Sequence, residues 1–177
     1  RKTFARKQKD RTETDRGHHP LAGRSAGVKI LMNWGNFKSF MNLAISRIRQ
    51  IIPHFNEKVL TERDFWTICE KENIRVVEMC LYVDGFYYCD GRRPHIYLNS
   101  ALRGVFWLEN AFHEIAHHFL HTPPRCQRQE TEARAIALIA ILPRGQLEKA
   151  VAEADEFSEY AERILHERLQ ILAEHGI

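Results

Sequence analysis

The chain has 177 residues, enough for one domain with a core of its own. Hydrophobic residues make up 44% and the formal net charge is +3, which excludes a disordered polymer and a uniformly basic nucleic-acid coat. No apolar run approaches the ~18 residues that a spanning helix needs, and no apolar stretch near the start resembles a signal peptide, so a cytoplasmic protein with no membrane contact is expected.

Residues 1–27 carry Arg1, Lys2, Arg6, Lys7, Lys9, Arg11, Arg16 and Arg24 against Asp10, Glu13 and Asp15, with almost no apolar periodicity. They are expected to form a flexible basic tail. Weak contact with nucleic acid is the functional reading of such a tail; Phe4 is its only aromatic up to residue 25, so base stacking is not indicated. The sequence opens on Arg1 rather than Met, as a fragment or a processed chain would.

From Phe37 onward Phe40, Met41, Ala44, Ile45, Ile48, Ile51 and Ile52 recur at helical spacing until Pro53. A second helix is expected over 61–72, with Thr61 as N-cap and Asp64 three residues on. Residues 74–80, 85–89 and 95–99 are β-branched or aromatic, and Asp84-Gly85 and Asp90-Gly91 lie between them. That pattern predicts a small meander of antiparallel strands. Helices are expected near 105–121, 129–142, 145–154 and 158–174, with Pro123-Pro124 and Pro143 as breaks, Ser158 as an N-cap and Gly176 as a stop. Cys69, Cys80, Cys89 and Cys126 show no C-x-x-C spacing, and three lie in or beside apolar runs, as reduced buried thiols would.

The third of these helices contains His113-Glu114-Ile115-Ala116-His117. Two histidines four apart share one helical face, one turn apart, close enough to hold one ion. Glu114 beside the first can reach a water on that ion and take its proton. Phe112, Ile115, Ala116, Phe119 and Leu120 make the rest of the helix apolar. A polar face on an exposed helix is the plainer alternative, but buried histidines and a buried glutamate need partners, and a shared metal supplies them. Zinc used in catalysis takes a third protein ligand. His121 lies ~12 Å along the axis from His113, too far to share the ion. A metzincin arrangement is excluded, because Leu120 and Pro123 stand where its Gly and last His belong. The third ligand is therefore expected from the next helix, which opens with Glu130 and Glu132 before an almost wholly apolar run. Acids that favour the helix dipole are the alternative there.

The paired motifs resemble the ImmA/IrrE family of zinc metallopeptidases, a gluzincin-like group. Its H-E-[L/I]-[G/A]-H is matched at His113 to His117. Its later E-x-E-A segment is matched at Glu130, Glu132, Ala133, Ala137, Ile141, Leu142 and Pro143, with Ile136 in place of an aromatic. Strand 95–99 and the ending 158–177 are also similar, so the resemblance covers about residues 37–177. It implies an α+β fold: a mostly helical, zincin-like metalloprotease domain with a small antiparallel sheet, spanning 28–177. It implies Zn²⁺ held by His113, His117 and Glu130, with Glu114 as the catalytic base. It further implies a hydrolase that acts on a protein substrate, a helix-turn-helix transcriptional repressor, and so switches on stress responses or mobile-element transfer. Arg134 stands where the family usually has Asn or Asp; an Arg there can pair with Glu130, and it brings positive charge to the site.

Helix geometry also separates the two acids. Ala133 and Ala137 form the small-residue ridge expected to face the zinc helix. Glu130 lies nearly on that face and Glu132 well off it, so Glu132 is expected to turn to solvent or to a neighbouring Arg or Lys. Strand 95–99 is expected to be a sheet edge that holds an extended peptide, and His95, Tyr97, His118 and His121 are the candidates for stabilising an oxyanion. The competing function is a metal-stabilised regulator that binds a repressor or toxin partner without cutting it. Retention of Glu114 and a ligand count of three argue against that alternative.

Overall fold

The computed structural model describes the backbone over 34–120, 127–152 and 158–177, and the side chains from residue 40 onward within those spans. The basic tail, His121 and Cys126 lie outside the described residues. Nine elements follow in order: α1 (Trp34–Ile51), α2 (Glu62–Lys71), β1 (Arg75–Met79), β2 (Gly85–Cys89), β3 (Pro94–Asn99), α3 (Gly104–Leu120), α4 (Gln127–Ile141), α5 (Arg144–Ala152) and α6 (Glu159–His175). The described chain is thus α+β and mostly helical.

The local reasons are those of the sequence. In α1, Met41, Ala44, Ile45 and Ile48 are buried one and two turns apart, whereas Phe40 faces solvent. The Asp64 carboxylate accepts from the Thr61 amide and hydroxyl at 2.8 and 2.7 Å, closing the start of α2. Ser158 Oγ accepts from the Ala161 amide, and Gly176 at φ 73° closes α6.

The sheet departs from the expected meander. Its order is β1-β3-β2; β2 runs antiparallel to β3, but β1 runs parallel to it. The short 80–84 link crosses the end of β3 instead of hairpinning back. Asn99 holds that crossing: its side-chain amide donates to the Leu81 and Val83 carbonyls at 3.0 and 3.2 Å, and its backbone amide to Asp84. Strand 95–99 is consequently central and paired on both sides, and the edges are β1 and β2. The cysteines also differ from expectation: Cys69 is buried, but Cys80 and Cys89 are exposed.

Helix α3 runs through the middle, against α1, α2, α4, β2 and β3. Phe112 and Trp107 meet Phe65 of α2 edge-on at 6.2 and 5.2 Å. Ala133, Ala137 and Ala140 of α4 are fully buried, and their small side chains let the two backbones approach. The end of α4 is pinned to α6 by Arg168, which donates to the Leu142 and Ile177 carbonyls and to Asn56 Oδ1 at 2.9, 2.6 and 3.0 Å. Burial pushes this guanidinium down to about 10, with the nearby Arg144 adding to the fall, so it remains charged near neutrality.

Candidate metal centre

His113 and His117 stand one turn apart on the inner face of α3, their rings 4.8 Å apart and nearly perpendicular. Glu130 enters from the first turn of α4. Its Oε2 lies 3.2 Å from His113 Nε2 and 3.4 Å from His117 Nε2, and the two nitrogens are 3.1 Å apart. These three are the one His/Cys/Asp/Glu group of three or more among the described residues that can hold an ion.

The spacing is informative. Ligand bonds of about 2.0–2.1 Å at tetrahedral angles place neighbouring donors about 3.3 Å apart. The three edges of this triangle lie within a few tenths of an ångström of that value, so the donors are close enough together to hold one small divalent cation. The donor set also fits a borderline cation: two imidazole nitrogens and one carboxylate oxygen. His117 is almost enclosed, with 7% of its side chain exposed, while Glu130 sits on the rim at 48%. The Glu130 side of the triangle is thus open to solvent.

A cleft of 460 Å³ adjoins the triangle at His113; its walls include His113, Glu114, Asn110, Gly85, Arg134 and Tyr160, but not His117 or Glu130. Glu114 is buried at 4% exposure and lines the same cleft. Gly85, the first residue of edge strand β2, is needed for the close approach to α3: a Cβ there would meet Asn110 Oδ1 and the Tyr97 carbonyl at 2.8 Å.

Glu132 is elsewhere. It is buried, and its carboxylate accepts from Arg128 Nε at 3.2 Å, one turn back along α4. Arg134 does not pair with Glu130. Its guanidinium goes instead to Glu109 of α3 and to Glu167 of α6, the latter at 3.0 Å.

The three described candidates for oxyanion stabilisation are not among the residues that line the cleft. His118 is buried between Tyr87, at 3.2 Å from Nδ1, and Glu72, at 3.1 Å from Nε2. Burial depresses its affinity for a proton more than Glu72 restores it. His95 bonds the Arg93 carbonyl and stacks toward Tyr97, which stacks on Phe86. The cleft is furnished instead by Tyr160 and Arg163 of α6. The Tyr160 hydroxyl donates to Glu109, and burial raises its pKa against the opposing pull of Arg134 and Arg163. Sequence reasoning missed both residues, because nothing local to residues 158–163 ties them to a motif 45 positions earlier.

Comparison with known proteins finds no family model, no curated protein and no solved structure that matches this chain.

Proposed function

We propose that the chain is a zinc-dependent endopeptidase in which His113, His117 and Glu130 hold the ion and Glu114 is the general base. The observation that carries this reading is the triangle of donors close enough together to hold one ion, beside a buried carboxylate and an open cleft. Bound zinc supplies a Lewis acid that polarises a peptide carbonyl and acidifies a water. Glu114, buried beside the cleft, would take the proton of the attacking water and pass it to the leaving amine. Arg163, and Tyr160 once its hydroxyl releases Glu109, are the cleft residues that could donate to a developing oxyanion. The outer edge of β2 replaces strand 95–99 as the place where an extended substrate adds main-chain hydrogen bonds, since β3 has no edge to offer.

A protein substrate fits a cleft bordered by a strand edge. The resemblance of the two motifs to the ImmA/IrrE family supports a helix-turn-helix repressor as that substrate. Glu114→Gln tests the reading: zinc content and melting temperature should stay at the wild-type values while cleavage of a co-encoded repressor falls at least ~10²-fold. A variant that still cleaves would remove Glu114 as the general base, and a wild-type protein that binds its regulator and never cuts it would establish a binding regulator instead.

A further inference from the structure

Arg134 lies four residues after Glu130 on α4. An acid followed by a base at that spacing shares one helical face and is the favoured order for an ion pair. Helix chemistry alone would therefore draw this guanidinium onto the one carboxylate of the donor triangle. The structure shows the opposite arrangement. Arg134 Nε is 3.0 Å from Glu167 Oε2, its Nη1 contacts Glu109, and Glu130 Oε2 is left between the two histidines.

We propose that Glu109 and Glu167 are positioning residues that hold Arg134 away from Glu130 and neutralise its charge, so that Glu130 remains available to the metal. This rests on the metal reading of His113, His117 and Glu130. The two acids come from different helices, α3 and α6, and pull the guanidinium from α4 toward both. Glu109 is itself fixed. It is 7% exposed, accepts from the Tyr160 hydroxyl, and stands one turn before His113 on α3. Glu167 is the adjustable partner: its side chain is 34% exposed, and Arg163 lies 3.9 Å away from its other oxygen. Without these acids the guanidinium would have Glu130 as the acid within reach along its own helix. It would also present an uncompensated positive charge to a dication.

The test is a cycle of zinc affinities measured by chelator competition on the full chain. Glu167→Gln, Glu109→Gln and the double variant are each made with Arg134 present and with Arg134→Asn. With Arg134 present, the double variant should bind zinc about tenfold more weakly, and Glu167→Gln alone should fall between it and wild type. With Arg134→Asn, the same substitutions should change affinity less than about twofold, because no guanidinium is left to restrain. Glu167→Gln alone carries the comparison should Glu109→Gln fail to fold, which the melting curve of the metal-free protein would reveal. Equal losses in both backgrounds would mean that the acids act on the ion directly through space, and unchanged affinity would mean that they do not act on it; either result overturns the proposal. A wild-type chain with no zinc affinity would overturn the metal reading along with it.

Discussion

Glu130 and Glu132 are two residues apart, so about 200° of helix separates them, and only one can join the histidines. Glu130 Oε2 lies within 3.4 Å of both His Nε2 atoms, whereas Glu132 is committed to Arg128. Glu130→Ala should therefore weaken zinc binding by at least ~10²-fold with little loss of stability, since that side chain is half exposed. Glu132→Ala should do the reverse: zinc affinity near wild type in a chelator competition, and a lower melting temperature, because the buried partner of the half-exposed Arg128 is lost and its space is left unfilled. The direction of Glu130 was legible in the sequence because helical periodicity fixes which residues share a face with Ala133 and Ala137. The burial of Glu132 was not, because it depends on the packing of α4 against other helices. The course of Arg134 was not either, because its partners lie 25 residues before it and 33 after it in the chain.

At the scale of elements, helices were the readable part. Each has a period, a cap or a proline that acts within a few residues, and α2 and α6 begin on the expected Thr61 and Ser158. The sheet was not readable to the same degree. Alternation identifies strands but not which neighbours they choose, and the parallel pairing of β1 with β3 turns on Asn99 gripping the 80–84 link. That topology makes β2 the edge beside the cleft and seats Gly85 against Asn110. Gly85→Val should therefore displace the start of β2, at a cost on the order of 1–3 kcal/mol. Peptide cleavage should drop while zinc stoichiometry is retained. A Gly85→Val protein that cleaves its substrate at the wild-type rate would remove β2 from the account of substrate binding.

At the scale of the molecule, α3 serves as both the centre of the core and the floor of the site. Its apolar residues anchor α1, α2, α4 and the sheet, and its polar residues face two different environments. His113 and Glu114 line the cleft, while His118 closes against Tyr87 and Glu72 on another side. A rigid central helix is a suitable mount for metal ligands, because their rotamers are locked by the packing around them. On the proposed reading, this helix and the start of α4 together bind zinc through two imidazoles and one carboxylate. Zinc-edge X-ray absorption on the purified protein tests it most directly. The expected result is about one zinc per chain, with two imidazoles and oxygen donors at about 2.0–2.2 Å, and loss of that signal in His113→Ala. Sulfur scattering at about 2.3 Å, or a zinc signal unchanged in His113→Ala, would contradict it.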